Sequence, residues 1–274
     1  YIGLVATTFY ILSFIADMKK EKSFFEDSEL PFVSIIIPAY NEEECIENTI
    51  KSIIKTDYPK DKFEVLVINN GSSDNTFKIA KKHESEIVRI MSVKENKGKA
   101  GGLNFGIPHA KGEIIFTMDA DTTVDIKSVK NMVRYFKDEN IMCVTPSMII
   151  ANPRSIWQRI QSIEYLLGLF LRKTFASLDA IYITPGAFSA YRKTFFEKYG
   201  DFEVGNITED LEMSMRVQYN GYRVENCPDA PAYTIAPSKF KSLLIQRRRW
   251  YFGLIKNTMK YKKLLGRKYG DLGM

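Results

Sequence analysis

The chain has 274 residues, 45% hydrophobic and 13% aromatic, enough to bury a full core in one large domain or two intimate halves. Three scattered cysteines, Cys45, Cys143 and Cys227, form neither a zinc-type spacing nor a disulfide framework and fit a reducing compartment. The net charge of +6 is concentrated: positions 236–270 hold eleven Lys or Arg and no acid, leaving 28 of the 39 bases against all 33 acids. A basic tail on a mildly acidic body points to a membrane surface or an anionic substrate, and away from nucleic acid.

The chain opens on YIGLVATTFYILSFIA, sixteen uncharged and mostly apolar residues followed by DMKKEK. That is short of the ~20 residues needed to span a bilayer. Because the first residue is Tyr1, the sequence reads as part of a longer protein, and a partial transmembrane helix over 1–18 is expected; a helix packed on the domain or a signal-like segment is the alternative. Lys19, Lys20 and Lys22 would place the rest of the chain on the cytoplasmic side.

After a polar linker, strand-like apolar runs alternate with helical stretches. FVSIIIP (32–38) is β-branched and precedes a helix from about 42 to 55; FEVLVIN (63–69) is the next strand. GSSDNTFKIAKKH opens a helix with Ser72 or Ser73 expected as its N-cap. EIVRIMSV (86–93) is strand-like, 99–110 a short helix, GEIIFTM (112–118) a strand and 124–138 a helix. Such alternation predicts βαβ units and an α/β fold around a largely parallel sheet, with ligands at the carboxyl ends of strands. Asn69–Asn70 and Asp119–Asp121 both fall at such ends.

Further on, Ile156, Ile160, Ile163, Leu167 and Phe170 follow helical spacing, either as a core helix or as one lying at a membrane interface. AFSAYR (187–192) is the next strand candidate. In 206–221 Thr208 is the expected N-cap, with Glu209 and Asp210 in the first turn. The closing 241–263 stretch is a basic amphipathic helix with Leu244, Tyr251, Ile255 and Met259 on one side.

The motifs carry chemistry in different degrees. Asp119 and Asp121, at i and i+2 after an apolar strand, point the same way and can share a divalent cation with substrate phosphates; a helix cap is the bland reading, for which Asp125 is better placed. Asn96–Gly102 (NKGKAGG) sets Lys97 and Lys99 among glycines, a phosphate-approaching loop or a solvated turn. Asp210 in TED would need a partly desolvated site to take a proton from a hydroxyl at neutral pH; an ordinary capped helix is the alternative. QRRRW (246–250) could clamp a diphosphate while Trp250 forms a platform for a sugar ring, or simply face a membrane.

In order, PAYNEE, NNGSSDNT, NKGKAGGLNFG, MDADT, PGAFSAYRK, TED and QRRRW closely resemble the family 2 membrane glycosyltransferases, the group of cellulose, chitin, hyaluronan and poly-N-acetylglucosamine synthases. The resemblance spans about Pro31 to Tyr251. It implies a GT-A domain over 31–236, with a nucleotide-binding half (31–122) and an acceptor half (123–236), then an interface helix over 237–274 that precedes further transmembrane helices. It implies inverting transfer from a nucleotide-diphosphate sugar to a carbohydrate or lipid-linked acceptor. Ala39, Tyr40, Glu42 and Asn70 would line the nucleoside pocket, Lys99 face the diphosphate, Asp119 contact the nucleotide and Asp121 bind Mg²⁺ or Mn²⁺. Asp210, beside Glu209, would be the general base; Arg249 would steady the leaving diphosphate; Gly186, Ala187 and Phe188 would border the acceptor; Gln246 and Trp250 would close the site. One departure is Asn69-Asn70 where the family usually has Asp-Asp. If Asn70 rather than Asn69 meets the base edge, its amide can accept from uracil N3–H and donate to O4, which favours UDP over GDP, while cytosine also fits a flipped amide. The expected activity is metal-dependent extension of a β-linked polysaccharide from UDP-N-acetylglucosamine at the cytoplasmic membrane face, with single transfer of glucose or mannose to a lipid-linked acceptor as the alternative.

Overall fold

The computed structural model describes residues 24–177, 181 and 184–266, with isolated helical positions at 7, 8, 11, 12 and 15. The expected transmembrane segment over 1–18 otherwise lies outside the described residues, as does the end of the 237–274 segment. Among the described residues no helix is long and apolar enough to cross a membrane.

Strand β1 (Val33–Ala39) and strand β2 (Phe63–Asn69) are apolar runs buried on both faces, as strands inside a parallel sheet must be. Helix α1 (Ile46–Ile54) links them and buries Ile46, Thr49, Ile50 and Ile53 at helical spacing. Helix α2 (Thr76–Lys81) leads to β3 (Val88–Ser92), and α3 (Gly98–Gly106) leads to β4 (Ile114–Met118). β1 pairs in parallel with both β2 and β4, and β2 with β3. The chain therefore builds outward from β1, then crosses back to lay β4 on the other side of it. Strand order reverses between β1 and β4, and a crevice opens beyond their carboxyl ends.

The second half comprises β5 (Thr123–Val124), α4 (Ser128–Arg134), β6 (Ile141–Ile150), α5 (Ile156–Ser177), β7 (Phe188–Arg192), α6 (Lys193–Tyr199), α7 (Glu209–Tyr219), β8 (Arg223–Thr234) and α8 (Phe240–Lys260). One sheet runs β3-β2-β1-β4-β7-β6-β8-β5. β7 is antiparallel to β4 and to β6, β8 is parallel to β6, and β5 is antiparallel to β8. The result is a mixed, mostly parallel sheet of GT-A type. Alternate residues face opposite sides: Ile35, Val65 and Phe116 pack with α1 and α4, whereas Ile36, Leu66 and Ile115 pack with α3, α6 and α7. Helix α3 lies unusually close to β1, because methyl groups built on Gly102 and Gly106 would come 2.9 Å from Pro38 Cβ and 2.6 Å from Ile36 Cγ2. Two glycines of NKGKAGGLNFG thus serve packing on the sheet.

Three local expectations change. Ser72 and Ser73 do not cap α2, which begins at Thr76; Asp74 Oδ1 accepts from Thr76 N at 2.9 Å instead. Asp125 accepts from Lys127 N at 3.1 Å, an Asx turn that leads into α4. On α5 the core reading fails for Ile156, Ile160, Ile163 and Leu167, all exposed, with Ile163 at 68%. On α8, read as a basic amphipathic helix, Leu244, Tyr251, Ile255 and Met259 are also exposed.

Candidate active site

The loops after β1 and β2 are stitched together. Asn41 holds a left-handed backbone (φ 55°), which asparagine tolerates better than most residues. Its N–H donates to Ser72 Oγ (3.1 Å) and its Oδ1 accepts from Ser73 N (2.9 Å). Glu42 N donates to Thr76 Oγ1 at 2.7 Å, and Asn75 N donates to Glu43 Oε2 at 3.0 Å. PAYNEE and NNGSSDNT therefore form one unit, and Asn70 N donates to Ala39 O at 2.8 Å.

At the β1/β4 reversal lies a pocket of about 250 Å³. Ala39, Tyr40, Glu42, Asn70, Lys99, Asp119 and Asp121 all line it. Asn96 and Gly98, from the Asn96–Gly102 stretch that reads as a phosphate-approaching loop or a solvated turn, join them; sequence alone gives Asn96 itself no role.

Asn70 is buried, and both hydrogens of its amide are spent: Nδ2 donates to Asn96 Oδ1 (2.9 Å) and to Gly98 O (2.8 Å). Asn96 is oriented in turn by Gly98 N, which donates to the same Oδ1 at 2.8 Å. Backbone atoms thus settle which way the amide points. Asn70 therefore has no proton left for uracil O4, which corrects that half of the expected base contact. Its Oδ1 is likewise buried, without a protein partner among the described residues.

Lys99 reaches across the pocket floor. Its Nζ pairs with Asp119 Oδ1, lies 3.6 Å from Glu209 Oε1, and donates to Gly186 O at 2.6 Å. Burial works to lower its pKa, but the charges of Asp119, Glu209 and Asp210 outweigh that and raise it, so Lys99 stays cationic. Asp119 N donates to Ala187 O at 2.9 Å and ties the end of β4 to the segment entering β7.

Asp210 stands at the start of α7 with its carboxylate turned to Leu211 N (2.8 Å) and its carbonyl accepting from Thr184 Oγ1 (2.6 Å). A methyl on Gly186 would sit 2.5 Å from Asp210 Oδ2 and 3.0 Å from Lys99 Nζ, so this glycine touches both. Burial, then the Glu209 charge, push the Asp210 pKa up to about 6 despite the opposing pull of Lys99. A carboxylate so tuned can hold or take a proton near neutrality, which an ordinary aspartate cannot.

Asp121 accepts a 3.4 Å side-chain contact from Thr122 Oγ1, and its pKa is raised by burial and by Asp119. Glu42 is pushed up to about 7 by burial and by Asp121, Asp119 and Asp74. This pocket wall carries more negative charge than the protein neutralises. Among the described residues no group of three or more His, Cys, Asp or Glu forms a closed metal cage. Asp119 and Asp121, two carboxylates lining the pocket, are the donors that could share a hard divalent ion with phosphate oxygens, as Mg²⁺ commonly takes.

The remaining expectations fall outside the pocket lining. Phe188 is fully buried and stacks on Phe116 (ring centroids 5.2 Å apart), so it supports the site from behind and presents no surface to an acceptor. Arg249 is exposed on α8. Trp250 is half-buried and covered by the Arg247 guanidinium, 4.4 Å from its ring. Gln246 Oε1 is buried without a protein partner among the described residues.

The glycosyl transferase family 2 model matches residues 34–200. Poly-beta-1,6-N-acetyl-D-glucosamine synthase of Staphylococcus aureus (strain COL) is 34% identical over 249 residues, 89% of this chain. The Staphylococcus epidermidis protein of that name is 31% identical over 253 residues, 87% of this chain. The chain spans 60% of the length of each. Among solved structures, a mannosyltransferase from Pyrobaculum calidifontis in complex with GDP-Man and Mn²⁺ superposes with a TM-score of 0.75 at 25% identity, over 96% of this chain and 74% of that one. Staphylococcus aureus TarS 1–349 in complex with UDP-GlcNAc gives 0.60 at 20% identity, over 76% and 59%, a likeness of fold.

Proposed function

The chain belongs to glycosyl transferase family 2 and is a glycosyltransferase, and from that premise we propose that it moves N-acetylglucosamine from UDP-N-acetylglucosamine onto a growing β-linked polysaccharide, with inversion. The observation that carries this reading is the contact of Asp210 and Lys99 with one glycine, Gly186, beside the pocket that Asp119 and Asp121 line. The staphylococcal synthases, at 31–34% identity, support the sugar and the polymer.

In this reading Asp210 takes the proton of the acceptor hydroxyl as its oxygen bonds to the anomeric carbon, while the bond to the diphosphate breaks and its electrons leave with UDP. Lys99 lies beneath the diphosphate and Asp119 keeps Lys99 oriented. Asp121 would hold Mg²⁺ or Mn²⁺, which when bound supplies charge stabilisation to the leaving diphosphate. Ala39, Tyr40, Glu42 and Asn70 flank the nucleoside. Gly186 and Ala187 border the acceptor, and Gln246, Arg249 and Trp250 complete the site from α8. The exposed apolar faces of α5 and α8, set among basic residues, seat the domain on the cytoplasmic face of a membrane.

Asp210→Asn tests the base: loss of sugar transfer with retained UDP binding is expected, and undiminished transfer removes the assignment. A second reading, transfer of mannose from GDP-mannose or of glucose to a lipid-linked acceptor, is favoured by the likeness to the mannosyltransferase. Calorimetric binding of UDP and GDP, each with and without Mn²⁺, separates the two donors.

A further inference from the structure

A buried polar cluster joins α8 to the start of α7, away from the pocket. Thr208 occupies the N-cap position of α7, yet its side chain makes no capping bond. Its Oγ1 instead accepts from Asn257 Nδ2 at 3.0 Å, and the same amide reaches Thr208 O at 3.3 Å. Asn257 Oδ1 accepts from Asn206 Nδ2 (2.9 Å), and Asn206 Oδ1 accepts from Thr208 N (3.2 Å). All three side chains are buried, Asn257 completely.

One turn earlier on α8, a methyl on Gly253 would overlap the Thr208 side chain, so bare helix backbone forms the wall of the socket. One turn later, Lys260 Nζ donates to Glu212 Oε1 at 3.0 Å and the Tyr261 hydroxyl donates to the same oxygen. Positions 253, 257 and 260 share one face of α8. Tyr251, Phe252 and Ile255 on the same helix are exposed.

We propose that Asn257 is a positioning residue for Asp210. By holding Thr208 against Gly253, it sets where the Asp210 carboxylate stands relative to Lys99 and Gly186, and ties that position to the seating of α8. The inference rests on the reading of Asp210 as the base. The hydroxyl that would otherwise cap α7 is spent on α8, so displacing α8 by even a fraction of an ångström moves the residue two places from the carboxylate. The charged and titratable groups around Asp210 are Glu209 on its own helix, Lys99 on α3, Asp119 after β4 and Tyr191 on β7. None of these groups lies on α8, and the bonds of Asn257 to Thr208 and Asn206 are between uncharged groups, so a change there acts on Asp210 through position.

The test compares full-length wild type, Asn257→Ala, Asn257→Asp and Asp210→Asn, with UDP-N-acetylglucosamine and Mn²⁺ as donor mix and UDP binding measured separately. Asn257→Ala is expected to lower kcat about 10- to 100-fold, the scale of a small misplacement of a reacting group. UDP affinity should stay within about twofold of wild type. The acidic limb of the kcat–pH profile should move down by at least about half a pH unit, as Asp210 loosens towards ordinary aspartate behaviour. Asn257→Asp keeps the acceptor for Asn206 but offers Thr208 no N–H, and should share the defect. If Asn257→Ala does not fold, Thr208→Val deletes the same bond from the other side and is held to the same outcomes. An unmoved limb, whether turnover is unchanged or falls in step with UDP binding, overturns the positioning role. Transfer retained by Asp210→Asn overturns the base itself; an inactive Asp210→Asn beside an unaltered Asn257→Ala overturns only the latch.

Discussion

Gly186→Ala isolates the geometry at the centre of the site. Gly186 does not lie among the glycines of positive φ, so its backbone accepts alanine without strain. The added methyl would stand 2.5 Å from Asp210 Oδ2 and 3.0 Å from Lys99 Nζ. Carbon and oxygen need about 3.2 Å, so the carboxylate must retreat by about 0.7 Å. Misplacing a reacting group by about 1 Å costs on the order of 10²-fold in rate, equivalent to about 2.7 kcal/mol of barrier. Turnover, read as UDP released from UDP-N-acetylglucosamine with Mn²⁺, is expected to fall by that factor, with the melting temperature within about 3 °C of wild type. A Gly186→Ala protein turning over within about threefold of wild type would refute the argument that Asp210 must stand where it does.

Glu42→Gln should raise the melting temperature by roughly 2 °C at pH 8 and leave it unchanged at pH 4. Glu42 titrates near about 7 when folded, so it costs stability progressively as pH climbs from its unfolded value to its folded one, and glutamine removes that cost; thermal melts across pH check it. Asn70→Asp would set a carboxylate against Asn96 Oδ1 and Gly98 O, two acceptors. It should destabilise the chain by about 1–3 kcal/mol and weaken UDP binding about tenfold, read by urea unfolding and calorimetry. Ile163→Glu with Leu166→Glu, both on exposed positions of α5, should sharply reduce sedimentation with anionic vesicles and leave UDP affinity unchanged.

The strands that build the pocket were legible because β1, β2 and β4 are short, buried, mostly apolar runs, interrupted only by Ser34, Glu64, Pro38 and Thr117 and ending close to turn residues. β6 and β8 were not foreseen. Pro146 falls in a register shift of β6, and β8 carries Pro228 and Pro231, with its pairing jumping from Asn226 to Pro231. Prolines of this kind sit at bulges and erase the local strand signal. The bonds of Asn70 to Asn96, 26 residues away, and of Asn257 to Thr208, 49 residues away, left no local trace. Bonds between side chains brought together only by the sheet and helix packing have no periodicity to betray them. The exposure of α5 was an open choice for a related reason: helical spacing says which residues share a face, not what that face meets.

The strand β7 is hydrogen-bonded to β4 on one side and to β6 on the other. The strands on either side of it are therefore rows of a single fabric, and they cannot swing apart like the jaws of a clam without tearing a ladder. Among the described strands there is no seam at which such a hinge could form. Adaptation to donor and acceptor falls to the elements that hang off the sheet, chiefly the stitched loops after β1 and β2 and the helix α8, so the speed of opening and closing should track loop and helix motion, with the sheet standing still.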